Sequence, residues 1–227
     1  MNILAIDTST KLLCVGLVNH KGKSVEYSLD STMKYDQLLL PTISKALKRL
    51  KLCFKQIDCF VVGLGPGSFT GLRIALSTVK AFAVAQNKPI AGISSLDIIA
   101  SNALKQNSGI ICPVIDARRG LVFTALFQAQ AGRIKRNTRY LLISPEELLM
   151  RLRGKGRVAF LGDGLELYEQ DLKRKIKNAL FLDKDAWYPK AENIIKLASD
   201  VVKKGRFSQI SKIKPIYLYP KECQIRK

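Results

Sequence analysis

The sequence predicts a duplicated α/β fold, with two lobes that each carry a mixed β-sheet flanked by helices. Three observations carry this expectation. A pattern of three apolar strands followed by alternating helices and strands runs through residues 2–104 and starts again at residue 110. The polar stretch Lys105-Gln106-Asn107-Ser108-Gly109 separates the two runs and divides the chain into lobes at 1–106 and 107–227. The 227 residues are 47% apolar and 25% charged, which suits one or two compact cores and excludes disorder, collagen and a disulfide scaffold.

The first lobe opens with apolar runs at 2–7 and 12–18 and a weaker alternation at 24–29; the turn Asn19-His20-Lys21-Gly22 makes the set an antiparallel meander. Leu39, Ile43, Leu47 and Leu50 recur at helical spacing, which predicts a helix over 37–50 with Asp36 as N-cap and Pro41 bending its first turn. Residues 59–64 read as a fully buried strand. Gly65-Pro66-Gly67-Ser68-Phe69-Thr70-Gly71 ends it before a second helix at 72–85, and a strand at 89–93 and a helix near 96–104 follow. In the second lobe the pattern gives strands at 110–115, 121–127 and 134–142, a helix at 145–152, a strand at 158–161, and helices at 165–176 and 191–203. The tail 214–220 is too Pro-bounded for a helix.

Charge is lopsided: 38 Lys and Arg against 18 Asp and Glu leave +20. Residues 1–100 hold a surplus of 6 and residues 101–227 a surplus of 14, so the C-terminal half is expected to carry most of the field. Such a field suits a polyanionic neighbour such as RNA, nucleotides or anionic lipid, and serves solubility equally well. The N-terminus lacks a basic leader and apolar stretch, which predicts a soluble cytoplasmic protein with no membrane partner. Cys14, Cys53, Cys59, Cys112 and Cys223 are scattered without a Cys-x-x-Cys pair, and read as small buried hydrophobes with reduced thiols.

Catalytic equipment is sparse. The one histidine, His20, falls in the hairpin turn, so histidine-based proteolysis and a two-histidine metal site are excluded, whereas a carboxylate-only mechanism stays open. The turn Asp7-Thr8-Ser9-Thr10 is similar to the Asp-x-Gly-Thr turn of actin-like ATPases and sugar kinases. Thr8 and Ser9 stand where glycine would admit phosphate, so Asp7, Thr8 and Ser9 form either a nucleotide site or a structural Asx-type turn. Asp116-Ala117-Arg118-Arg119-Gly120 is the matching turn of the second lobe; Asp116 and Arg118 suit a phosphate or carboxylate contact or a plain surface hairpin. The glycine segment 65–71 is neither a Walker loop nor a dinucleotide fingerprint, and as physics alone reads as a packing turn. The helix behind it keeps only Arg73 and Lys80 charged. Its apolar surface exceeds one sheet face and needs another helix of this chain or a second subunit.

The segments Ile3-Leu-Ala-Ile-Asp-Thr-Ser-Thr10, Gln37-Leu-Leu-Leu-Pro41, Gly65-Pro-Gly-Ser-Phe-Thr-Gly-Leu-Arg73, Ile115-Asp-Ala-Arg118 and Pro215-Ile-Tyr-Leu218 together resemble the bacterial TsaB (YeaZ) family. The resemblance spans the chain. It implies an actin-like (ASKHA, RNase H-like) fold without catalysis of its own, and a role in holding and activating a TsaD-type catalytic subunit, with a TsaE-type ATPase, for threonylcarbamoylation of adenosine beside the tRNA anticodon. It further implies a homodimer in isolation, tRNA met through the complex, and no cofactor. Subunits of this family pair through their first two N-terminal helices, which points here to Leu39, Ile43, Leu47, Leu72, Ala75, Leu76, Val79, Phe82 and Ala83. Where TsaD proteins carry a His-x-x-x-His metal pair, this chain has Gly92-Ile-Ser-Ser-Leu-Asp-Ile-Ile99. It departs from the family at Tyr35, often His, and at Tyr217-Leu218-Tyr219, often Tyr-Leu-Arg. Two rival readings remain: an actin-like ATP-dependent phosphotransferase or ATPase using Asp7 and Asp116, and a direct RNA-binding module in the basic half, which lacks any nucleic-acid motif.

Overall fold

A computed structural model describes residues 1–30, 35–106 and 109–220. Cys223 and the centre of the expected boundary, Asn107 and Ser108, lie outside the described residues. Contacts divide the chain into two compact units, residues 1–98 with 189–216, and residues 99–188 with 217–227.

The first unit is built on a five-stranded sheet in the order β3-β2-β1-β4-β5, formed by β1 (Ile3–Asp7), β2 (Leu12–Val18), β3 (Ser24–Asp30), β4 (Cys59–Gly63) and β5 (Ile90–Ile93). The first three strands are the expected meander; β4 and β5 run parallel to β1. Every residue of β1 and β4 is buried, because both faces of the sheet are covered. Leu4, Ile6, Phe60 and Val62 pack against α1 (Tyr35–Leu50) and α2 (Phe69–Gln86). The alternate residues Ile3, Ala5, Cys59 and Val61 pack against Ala191, Ile194 and Ala198 of α6 (Ala191–Lys203). Gly16 on β2 lets α6 come close, since a Cβ there would lie 2.9 Å from Ile195 Cδ1.

This placement of α6 corrects the division at residue 106. The periodicity over 191–203 identifies a helix without saying which sheet it covers, and the uncovered second face of the first sheet claims it. Residues 208–216 return with it, through Ser208 N–H to Ile90 O (2.8 Å) and Ile216 N–H to Leu64 O (2.8 Å). The charge distribution changes accordingly. The first unit holds 19 basic and 8 acidic residues and the second 19 and 10, so the surplus of the C-terminal half of the sequence is divided between the two units, 11 and 9.

The second unit repeats the strand order as β10-β7-β6-β11-β12, from β6 (Ile110–Arg118), β7 (Leu121–Thr124), β10 (Leu141–Ile143), β11 (Val158–Leu161) and β12 (Ala179–Phe181). The expected strands at 121–127 and 134–142 are each broken in two. β8 (Phe127–Gln130) and β9 (Arg133–Arg136) form an added hairpin that leaves the main path and joins β6 at Ile111. The three-residue β12 carries too short an apolar signal to be read from sequence. Helices α3 (Ser95–Ala100), α4 (Pro145–Leu152, capped by Ser144) and α5 (Leu165–Lys175) follow the expected periodicity; α3 stops short of 104 and passes into a 3₁₀ turn. Among the described residues no helix is long and apolar enough to cross a membrane.

Candidate functional site

Asp7 ends β1 and is fully buried. Its Oδ1 accepts from Ser9 N–H (2.8 Å) and Ser9 Oγ–H (2.6 Å), and its Oδ2 accepts from Ser95 Oγ–H (2.6 Å). Thr8, Ser9 and Thr10 are buried with it. Burial pushes the Asp7 carboxyl above the ordinary carboxylate range, against the lowering effect of the Ser9 and Ser95 hydrogen bonds.

The glycine segment lies directly on this turn. Ser68 N–H donates to Ser9 O (2.7 Å), and Thr8 Oγ–H donates to Gly71 O (2.7 Å). A Cβ at Gly67 would sit 2.2 Å from Ser9 O, one at Gly71 2.1 Å from Thr8 O, and one at Gly63 1.9 Å from Asp7 Oδ2. These glycines are therefore small because the Asp7 turn occupies the space beside them. Ser94 and Ser95, at the start of α3, tie the far side: Ser94 Oγ–H donates to Gly65 O (3.1 Å) and Gly65 N–H donates to Ser95 Oγ (3.0 Å). Gly71 N–H is taken by the Ser68 cap. The result is a closed polar knot with Asp7 at its centre. Ser95 lies 88 positions from the carboxylate that it binds, and no periodic signal in the sequence joins the two.

Asp116 is held differently. Its N–H donates to Asp163 Oδ1 (3.1 Å), its carboxylate accepts Arg118 N–H (2.8 Å), and its Oδ2 pairs with Arg118 Nη1 at 3.0 Å. The Arg118 side chain is 87% exposed against 13% for Asp116. Arg118, Arg119 and Gly120 all take positive φ (66°, 54° and 71°), so the β6–β7 turn is tight and presents both arginines outward. Each aspartate keeps to its own unit's turn, and no group of three or more His, Cys, Asp or Glu able to hold a metal occurs among the described residues. His20 is exposed in its turn. Cys14, Cys59 and Cys112 are buried with thiols pushed up to about 12, whereas Cys53 is exposed, against expectation, because it caps a 3₁₀ turn at the surface.

The expected interface residues divide by burial. Leu39, Ile43, Leu72, Ala75, Leu76, Val79 and Ala83 are buried within the first unit, all but Leu72 in the core cluster that α1 and α2 form on the sheet. Leu47 and Phe82 are half-buried, with Phe82 edge-on to Phe54 at 4.7 Å. The opposite faces are open. On α2 they show Phe69, Arg73, Ser77, Ala81, Val84 (66% exposed) and Ala85, with the Arg73 guanidinium 3.8 Å from the Phe69 ring centre; on α1 they show Leu40 (55% exposed) and Pro41. Residue size does not separate the two stripes either, since Ala75 and Ala83 lie in the buried one and Phe69 and Val84 in the outer one.

The family model for TsaD, tRNA N6-adenosine threonylcarbamoyltransferase, matches residues 31–214. The chain is 33% identical over 75% of its length to the tRNA threonylcarbamoyladenosine biosynthesis protein TsaB of Bacillus subtilis, covering 74% of that protein. To TsaB of Escherichia coli it is 28% identical over 96% of its length, covering 94% of that chain. YeaZ from Pseudomonas aeruginosa superposes with a TM-score of 0.83 at 27% identity, covering 96% of this chain and 99% of the other. An activator of 2-hydroxyisocaproyl-CoA dehydratase from Clostridium difficile, solved with ADPNP, shares the fold at a TM-score of 0.51 and 10% identity, with 96% and 100% coverage.

Proposed function

This chain belongs to the TsaB (YeaZ) family of tRNA threonylcarbamoyladenosine biosynthesis, with an actin-like fold, and from that premise we propose that it is a non-catalytic subunit that holds and activates a TsaD-type partner. The observation that carries the proposal is the sealed Asp7 turn. In an actin-like nucleotide site the first-strand aspartate and the following amides must face solvent and phosphate. Here the backbone of the glycine segment fills that space, which argues against the phosphotransferase reading and leaves binding as the work to be done.

The pairing surface in this reading is the outward face of α1 and α2, centred on Leu40, Ser77, Ala81 and Val84, which displaces the buried stripe as the contact. It serves a homodimer when the chain is alone and the catalytic subunit in the complex, with a TsaE-type ATPase completing the assembly and tRNA met there. A charge buried without a partner in such an interface costs several kcal/mol, and on a free surface almost nothing. Ala81→Glu and Val84→Glu are therefore expected to keep their melting temperature while losing co-purification with a TsaD-type partner. They are expected to lower the rate of adenosine modification by about tenfold or more, the equivalent of at least about 1.4 kcal/mol of pairing energy. Ala75→Glu, by contrast, is expected to unfold the first unit. Normal pairing and modification by both folded variants would move the interface elsewhere, and ATP turnover abolished by Asp7→Ala would restore the phosphotransferase reading.

A further inference from the structure

We propose that a basic groove in the second unit binds the phosphodiester backbone of RNA. β11 and β12 are parallel neighbours with Val158 opposite Ala179, so the segments that lead into them, 153–157 and 176–178, lie side by side at one end of the sheet. Val158 N–H donates to Asn178 O (3.2 Å) and fixes the two segments together. Helix α4 ends at Leu152 and α5 at Lys175, so two helix C-termini open onto the same place. Between them is a groove of about 590 Å³ lined by Arg153, Lys155, Lys175, Lys177 and Asn178, with aliphatic side chains and two glycines completing the wall. Gly154 and Gly156 have φ of 71° and 73°, and a Cβ on either would meet nothing within 4 Å. They serve the left-handed turns that alternate with Arg153, Lys155 and Arg157.

Cations at helix C-termini offset the helix dipole, which explains one or two such residues per helix. It does not explain why these four converge on a concave surface with no acid in its lining. Several cations of this unit lie beside carboxylates: Arg118 with Asp116 (3.0 Å), Arg151 with Glu147 (2.7 Å), Lys173 with Glu169 (2.5 Å) and Lys184 with Glu166 (3.6 Å). Arg153, Lys155, Lys175 and Lys177 make no ion pair within 4.0 Å among the described residues, although the Glu146 carboxylate at the start of α4 interacts electrostatically with Lys175. The mutual repulsion of the four cations is relieved by a ligand that carries several negative charges in a row. The lining has no aromatic side chain, so the groove has no platform for a base and grips phosphate and ribose alone. A concave site also suits a chain of phosphates better than the flat face of an anionic bilayer. The choice of RNA among polyanions rests on the tRNA-modification reading above.

The test is a titration of a fluorescent tRNA transcript with the isolated full chain, at several salt concentrations, without any catalytic partner. It compares Arg153→Ser/Lys155→Ser/Lys175→Ser/Lys177→Ser with a charge-matched control, Lys203→Ser/Lys204→Ser/Arg206→Ser/Lys212→Ser, which removes exposed cations of the first unit. The groove variant is expected to bind about tenfold or more weakly at 0.1 M salt and to flatten the log–log salt slope by about 3, whereas the control loses less than about threefold. Equal losses in the two variants would assign binding to the general field and overturn the proposal. So would an unaffected groove variant, a wild-type chain that does not bind tRNA, or groove-dependent binding to phosphatidylglycerol vesicles without binding to tRNA. Because this titration involves no partner, it fails or succeeds separately from the α2 variants, which read pairing and modification.

Discussion

Asp7 and Asp116 occupy matching places, each near the end of the strand that stands third in its unit's sheet order, but one lies inside a sealed polar knot and the other under an exposed arginine. The difference comes from the loop that leaves the neighbouring parallel strand. After β4 the chain takes residues 64–68 to reach α2, long enough to lie across Thr8 and Ser9. After β11 only residues 162–164 precede α5; they reach the Asp116 backbone, through its N–H to Asp163 Oδ1 (3.1 Å), and leave its carboxylate to Arg118. One strand order thus yields a closed end or an open one according to the length of a single connection.

That contrast can be broken most forcefully at the glycines. Gly71→Ala places a methyl 2.1 Å from a backbone carbonyl and is expected to cost about 3 kcal/mol or more in urea unfolding. Gly120→Ala, in open space at φ 71°, is expected to cost about 1 kcal/mol from backbone strain alone. Equal costs would show that the loop after β4 does not press on the Asp7 turn. Next come the aspartates themselves. Asp7→Ala strands the Ser9 amide and the two serine hydroxyls in a buried site and is expected to lose about 2 to 4 kcal/mol, against about 1 kcal/mol for Asp116→Ala, whose ion partner is solvated.

The smallest effect is in pH. Because burial raises the Asp7 pKa in the folded chain, the native state holds that proton more tightly than the unfolded chain does. Its contribution is therefore fully present below the ordinary carboxylate value of about 4, and is lost as pH rises toward the raised folded value. Stability curves of the wild type and Asp7→Asn should diverge in favour of the variant across that interval and then run parallel. Curves that stay parallel from pH 3 to 8 would mean that the Ser9 and Ser95 hydrogen bonds cancel desolvation, and divergence in favour of the wild type as pH rises would mean that they outweigh it.

Strand and helix periodicity carried most of the fold, since β1, β2, β4, β11 and the helices α1, α2, α4, α5 and α6 each repeat over enough residues to show their period. What escaped was non-local. The sequence of α6 marks a helix but not the sheet it covers, although an unbroken apolar β1 already announced a second face in need of cover. The knot around Asp7 was legible as an aspartate turn and a glycine turn, but their mutual packing depends on backbone carbonyls that no residue pattern encodes. On α2 both stripes are apolar or small, so hydrophobicity alone could not tell the sheet-facing stripe from the outer one. The groove at 153–177 escaped because its cations lie on two segments that only strand pairing brings together.

The return of residues 189–216 to the first unit also sets an order of events during synthesis. The segment 1–98 leaves the ribosome with α1 and α2 able to cover one side of its sheet, while Ile3, Ala5, Cys59 and Val61 on the other side wait for α6. All of 99–188 emerges in the interval, with its own closing contacts from Tyr219 to Ala117 and Phe123 still to come. For as long as that interval lasts, the nascent chain displays a bare apolar sheet face, the kind of surface that chaperones grip and that neighbouring chains stick to. The first unit's sheet waits through the synthesis of 99–188 for its cover, and a ribosome that stalls before residue 191 leaves it open.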